Sequence, residues 1–163
     1  EVGEVVVSGA NIMKGYWNKA EQTAAVLKGG GYWTGDLGYI DTQGYLFLVD
    51  RSKDMIVSGG ENVYSTEVED ILYKFPGVLE AAVFGVPDQK WGEAVYAVVV
   101  PRPDATDVTP EALIAFCREH IGGYKVPKGI DIQLEPLPKS GPGKVLKREL
   151  RAPFWAATDR SVN

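Results

Sequence analysis

The sequence predicts an α+β protein: a small domain whose central antiparallel sheet, of about three strands, is flanked by helices, with a β-rich stretch ahead of it. Three observations carry this. The apolar runs 79–86 and 94–100 are separated by the polar turn 87–92, the pattern of two paired strands. Val68, Ile71, Leu72 and Phe75 recur at helical spacing just before them. Thr109-Pro110 opens a second helix after them, Thr as the cap and Pro at the first helical position.

In chain order, residues 1–50 supply a strand at 5–8, a short helix around 20–27, and a hairpin of strands 31–40 and 45–49. Asp41 and Gly44 make its turn, one by side-chain hydrogen bonding and the other by backbone freedom. These few elements make a thin core, and the chain opens at Glu1 inside a strand. Both features are expected of the end of a preceding domain, whose boundary is placed at 52. The domain 53–163 then runs through strands at 55–58 and 62–64 about Gly59-Gly60. The helix that follows is capped by Thr66 with Glu69 at capping-box spacing and ends at Pro76-Gly77. After the paired strands come the Thr109 helix, carrying Leu113, Ile114, Phe116, Cys117 and Ile121 inward and stopped by Gly122-Gly123, and a strand at 130–134. A Pro/Gly-rich loop at 136–143 and a last helix at 147–157 complete it.

Of 163 residues, 45% are hydrophobic and 24% charged, values of an ordinary globular chain. A single cysteine, Cys117, makes no intrachain disulfide, and no leader-like segment opens the sequence, so a cytoplasmic location is expected. No apolar run approaches the length of a membrane span. The net charge of -5 argues against a general nucleic-acid binder. Charge is uneven, however: Lys125, Lys128, Lys139, Lys144, Lys147, Arg148 and Arg151 crowd the tail against Asp131, Glu135 and Glu149. Such a tail suits a phosphorylated ligand or is a solvated face, and charge alone leaves both open.

Four segments carry candidate chemistry. In Tyr32-Trp33-Thr34-Gly35-Asp36, a carboxylate after a Thr-Gly turn is able to accept both hydroxyls of a ribose, or simply to stabilise a hairpin. The polar run Asp50-Arg51-Ser52-Lys53-Asp54 has the composition of a hinge that stays unburied, and the following Ser58-Gly59-Gly60-Glu61 offers backbone without side chains, for a thin ligand or for a bulge. Gly122-Gly123-Tyr124-Lys125-Val126-Pro127-Lys128 places an aromatic beside lysines, either to stack on a base and hold phosphates or as a solvated loop. Lys144, between Gly143 and Val145 in a bare loop, is a point charge able to meet a phosphoryl centre, or a surface lysine. No metal-ligand cluster is found.

Taken in order, these strings resemble the adenylate-forming superfamily of acyl- and aryl-CoA synthetases, peptide-synthetase adenylation domains and firefly-type luciferases. The pattern consists of the Thr-Gly-Asp turn, Asp-Arg-x-Lys-Asp with Gly-Gly-Glu-Asn following, Tyr-Lys-x-Pro-Lys, and Pro-Lys-x-x-x-Gly-Lys-Val. The likeness extends to about Leu150. It implies the C-terminal portion of an AMP-forming carboxylic acid:CoA ligase, with 1–52 as the end of the large adenylating domain and 53–163 as a mobile lid. Asp36 and Arg51 are then nucleotide-binding, Lys53 is the hinge, and Lys144 is catalytic, between the attacking carboxylate and the α-phosphate. Ser58, Gly59, Gly60 and Glu61 line a pantetheine tunnel, and Trp91, Tyr124 and Lys128 lie near the CoA nucleotide. ATP and coenzyme A are the implied cofactors, Mg2+ being bound through the N-terminal domain. That domain and a small-molecule carboxylic acid are the implied partners. The phosphate loop, the magnesium-binding pair and the acyl pocket are missing from this sequence, so the chain alone is expected to be inactive. A carrier-protein-loading lid and a non-catalytic descendant of such a lid are the alternatives.

Overall fold

In a computed structural model that describes residues 1–156, strand-forming and turn-forming residues build two separate sheets, and the chain divides into two compact units, the first spanning Glu1–Lys53 and the second starting at Asp54. In the first unit β1 (Gly3–Val7), β2 (Leu27–Lys28) and β4 (Leu46–Arg51) all pair antiparallel with the long β3 (Gly31–Ile40). The short α1 (Ala20–Val26) buries none of its residues. Asp41 turns the β3–β4 hairpin, its Oδ1 accepting from Gln43 N–H and Tyr45 N–H at 2.9 Å each, with Gly44 at φ +87°. Ile40, Leu46, Phe47 and Leu48 stay exposed, so this sheet buries little of its own apolar surface.

The second unit holds a five-stranded sheet in the order β6 (Glu61–Val63), β5 (Ile56–Ser58), β8 (Gly92–Pro101), β7 (Val78–Asp88), with β9 (Gly129–Ile132) also on β8. The β7–β8 hairpin is the antiparallel centre that the apolar runs predict. Two features enlarge the expected sheet of about three strands. The pair β5–β6 joins it through Ser58 opposite Gly92, and β9 adds to β8 in parallel after the crossover helix α3 (Pro110–His120). A four-residue strand carries too little alternation for its pairing to be read in advance.

Both sheet faces are covered, which is why β7 and β8 read as continuous apolar runs. On one face Val83, Val95, Ala97 and Val99 pack with Val68 and Leu72 of α2 (Ser65–Lys74) and with Leu113 and Cys117 of α3. On the other, Ala82, Phe84, Val86, Val98 and Val100 meet Leu137, Val145 and residues Leu150 and Phe154 of α4 (Lys147–Ala156). Thr109 caps α3 as expected, its Oγ1 accepting from Ala112 N–H at 3.2 Å.

Helix α2 departs from expectation. It begins at Ser65, with Tyr64 as the cap residue and no side-chain capping bond, so the Thr66–Glu69 capping box does not form. Glu69 instead turns toward the sheet, where its Oε1 accepts from Val83 N–H at 2.8 Å and lies 2.7 Å from Lys147 Nζ. The outer edge of β7 is covered in the same manner by Tyr73, whose hydroxyl accepts from Ala81 N–H, and by Trp155, whose indole N–H donates to Gly85 O. Side chains of two helices thus occupy backbone groups that an open edge would offer to another strand. The predicted end of the last helix, Ala157, lies outside the described residues.

Candidate functional site

The first group of candidates sits on the β3–β4 ladder. Asp36 and Arg51 are register partners, and Arg51 Nε lies 2.9 Å from Asp36 Oδ1. The turn before Asp36 is fastened at several points. Thr34 Oγ1 donates to Val5 O and accepts from Asp36 N–H, Gly35 O accepts from Ser52 N–H, and Gly35 adopts φ +75°. The Asp36 carboxylate is therefore held in a fixed direction while its side chain keeps 28% exposure, enough to accept hydrogen bonds from a ligand. Nearby, the influence of the Tyr16 hydroxyl holds the Tyr32 phenol above the ordinary 10.0. Lys53 closes the first unit and is exposed, but the run is not solvated throughout: Asp50 is buried, its Oδ1 accepting from Arg51 N–H at 2.7 Å. That short bond offsets the cost of burying a charged group.

The second group is assembled around Trp91. Ser58 pairs with Glu61 across a two-residue turn in which Gly59 and Gly60 have φ +62° and +86°, the backbone of a type I′ hairpin. The glycines therefore have a structural reason to be there. Gly59 N–H donates to Trp91 O at 2.9 Å, and a Cβ on Gly59 would stand 2.6 Å from the Trp91 ring. A Cβ on Gly60 would meet nothing within 4 Å, so its backbone is open to a ligand. Trp91 is 42% exposed and Lys90 Nζ lies 4.5 Å from its ring centre, a cation–aromatic pair beside the turn.

Tyr124 and Lys128 lie on the connection from α3 to β9. Lys125 reaches back to α2, its Nζ 2.6 and 2.8 Å from the two oxygens of Glu67, which raises its pKa above 10.5 and fixes the segment. Tyr124 is 47% exposed beside it, and Lys128 N–H donates to Val95 O. Among the described residues no hydrogen bond, ion pair or ring contact joins Tyr124 or Lys128 to Trp91, or Lys144 to any of them.

Lys144 stands apart on a tight hairpin rather than a loose loop. Ser140 and Lys144 close it: Ser140 N–H donates to Lys144 O at 2.8 Å, and Lys144 N–H donates to Ser140 Oγ at 3.2 Å. Gly143, at φ +86°, takes the left-handed position that a three-residue turn requires. Lys139 and Val145 pair below. The Lys144 side chain is exposed, and among the described residues its ammonium group has no hydrogen-bond or ion-pair partner. Such an exposed ammonium is able to meet a negatively charged group.

Sequence reasoning missed the carboxylates beneath these loops: Glu67 on Lys125, Glu69 on Lys147, and Glu80 on Lys139 at 2.5 Å. Three of the tail's basic residues are thereby neutralised, so the tail is less of a free positive patch than its composition implies. The one legible signal was Glu80, the only charged residue of the apolar run 79–86.

Comparison with known proteins finds similarity in sequence and in fold. Residues 67–144 match the AMP-binding enzyme C-terminal domain. The match takes in just under half of the chain. The chain is 51% identical over 154 residues to a feruloyl-CoA synthase of an Amycolatopsis species, a match that covers 94% of the chain and 31% of the relative. Among solved structures, ATP-bound MatB from Rhodopseudomonas palustris superposes with a TM-score of 0.86 at 37% identity, over 94% of this chain and 30% of that one. The amide bond synthetase McbA from Marinactinospora thermotolerans superposes at 0.84 with 44% identity, over 94% and 31%. The chain thus spans about 30% of the length of the proteins it matches. The match takes in β7, β8 and the turn that leads to Lys144. No helix among the described residues is long and apolar enough to cross a membrane.

Proposed function

We propose that this chain is the C-terminal part of a cytoplasmic AMP-forming carboxylic acid:CoA ligase, with the unit after Lys53 as a lid that serves two half-reactions in turn. The observation that carries the reading is the Lys144 ammonium, unpartnered among the described residues, on the residue that closes a tight hairpin. In the first half-reaction a substrate carboxylate oxygen attacks the α-phosphorus of ATP, and pyrophosphate leaves. Negative charge grows on the phosphoryl oxygens, and Lys144 meets it as a pre-aimed point charge. Asp36 accepts the ribose hydroxyls and Arg51 both orients Asp36 and faces the nucleotide. Magnesium belongs to residues outside this chain.

In the second half-reaction the CoA sulfur attacks the acyl carbon and AMP leaves. The lid turns about Lys53 and presents its other loops. Ser58, Gly59, Gly60 and Glu61 border the pantetheine, a role supported by the open face of Gly60. Trp91, Tyr124 and Lys128 receive the nucleotide end, supported by two half-exposed rings beside lysines. The feruloyl-CoA synthase resemblance supports CoA as acceptor and a small-molecule acid as substrate. The test is Lys144→Ala in the full-length ligase. It should abolish ATP–pyrophosphate exchange and spare thioester formation from supplied acyl-adenylate, whereas equal loss of both would count against the assignment.

A further inference from the structure

The Lys144 hairpin is short, and five residues closed by a few hydrogen bonds do not hold a fixed direction in water by themselves. Its direction must come from what grips its stems. On the outgoing side Lys147 Nζ is 2.7 Å from Glu69 Oε1 and donates to Ser65 Oγ at 2.6 Å, anchoring the start of α4 in a largely buried cluster. On the incoming side the Leu137 side chain is buried in the core and Leu146 N–H donates to Pro138 O, and the side-chain polar grip comes from one carboxylate. Glu80 projects from β7 on the sheet face that carries Ala82 and Phe84, beneath Leu137. Its Oε2 accepts from Leu137 N–H at 3.0 Å and its Oε1 from Lys139 Nζ at 2.5 Å. Lys139 is in turn the ladder partner of Val145, the residue after Lys144. One side chain therefore fixes two points of the incoming stem and, through Lys139, the outgoing strand beside the lysine.

An ion pair with side-chain exposures of 39% and 18% contributes little to global stability, so stability alone gives weak grounds for a charge within the apolar run 79–86. Orientation gives better ones. Displacing a reacting charge by about 1 Å costs on the order of a hundredfold in rate, and supporting contacts are what hold such a charge in place. We propose that Glu80 is a positioning residue for the first half-reaction: through Leu137 and Lys139 it sets the point from which Lys144 reaches the reacting phosphate. The inference rests on the reading of Lys144 given above.

The experiment compares Glu80→Gln, Lys139→Met, their double variant and Lys144→Ala in the full-length ligase. Each is assayed for ATP–pyrophosphate exchange and for thioester formation from supplied acyl-adenylate. Glu80→Gln should lower the exchange kcat about tenfold, with KM for ATP and the thioester rate changed by less than about twofold. Lys139→Met should match it, and the double variant should be no worse than either, because both remove one clamp. If Lys144→Ala abolishes exchange while Glu80→Gln and Lys139→Met leave it intact, the positioning role is wrong and the Lys144 assignment stands. Equal loss of both half-reactions in Glu80→Gln would mark a merely structural residue and overturn the proposal. If Lys144→Ala itself leaves exchange intact, the Lys144 assignment falls first and the inference with it.

Discussion

Arg51 holds Asp36 across the β3–β4 ladder, Nε to Oδ1 at 2.9 Å, on strands that also fix the backbone of the turn before Asp36. The pair is an ordinary ladder contact in geometry and a preorganised acceptor in consequence, because the guanidinium orients a carboxylate that remains partly open to solvent. If the proposed function holds, Asp36→Ala in the full-length protein should raise KM for ATP by about tenfold or more, the worth of one or two charge-assisted hydrogen bonds. Pyrophosphate exchange as a function of ATP concentration measures it.

Gly59 and Gly60 should differ sharply. A Cβ at Gly59 meets Trp91 and is strained at φ +62°, so Gly59→Ala should destabilise by about 1–3 kcal/mol. Gly60→Asn, with open space and a residue that tolerates the left-handed backbone, should cost under about 1 kcal/mol. Urea denaturation of both variants checks the order. Thioester formation should slow in Gly60→Asn, because its new side chain occupies the open face.

Lys147 and Glu69 are both largely buried, at 15% and 16% side-chain exposure. Lys147→Met leaves the carboxylate without its cation and should cost about 2–4 kcal/mol. Adding Glu69→Gln should recover part of that loss. Chemical denaturation of the two single variants and the double variant gives the coupling.

The pH dependence follows from Glu80, whose hydrogen bond with Lys139 holds its carboxyl below the ordinary 4.5. Its folded pKa lies below its unfolded value, so its contribution is present above about 4.5 and is lost as pH falls through the lowered folded value. Glu80→Gln should therefore differ from the parent chain in denaturation midpoint at neutral pH, and the difference should shrink as the buffer is taken below pH 4.5.

Much of this was legible in the sequence because it is local. The Asp41–Gly44 turn, the Thr109 cap, the β7–β8 hairpin and the glycine pair at 59–60 are each set by residues within a few positions of one another, and each forms in the structure. What escaped was long-range. Glu80 and Lys139 are distant in sequence, as are Glu69 and Lys147, and no periodicity relates such partners. Local reasoning even assigned Glu69 to a capping box, since the spacing to Thr66 fits. The nearby cation and the open edge of β7 offered that carboxylate two stronger partners. Lys144 was found as a residue but not as a geometry, because the same Gly and Pro that suggest a loose loop also build a closed turn.

The account turns on a lid that changes position between half-reactions, and the buried Cys117, fully enclosed and with its thiol pushed up to about 11, leaves introduced cysteines free to carry labels. Spin labels at exposed positions 22 and 119, one in each unit, should report this by pulsed dipolar spectroscopy of the full-length protein. The distance distribution is predicted to shift between the enzyme loaded with acid and ATP and the enzyme loaded with acyl-adenylate analogue and CoA. One unchanged distribution in both states would contradict a lid that turns about Lys53.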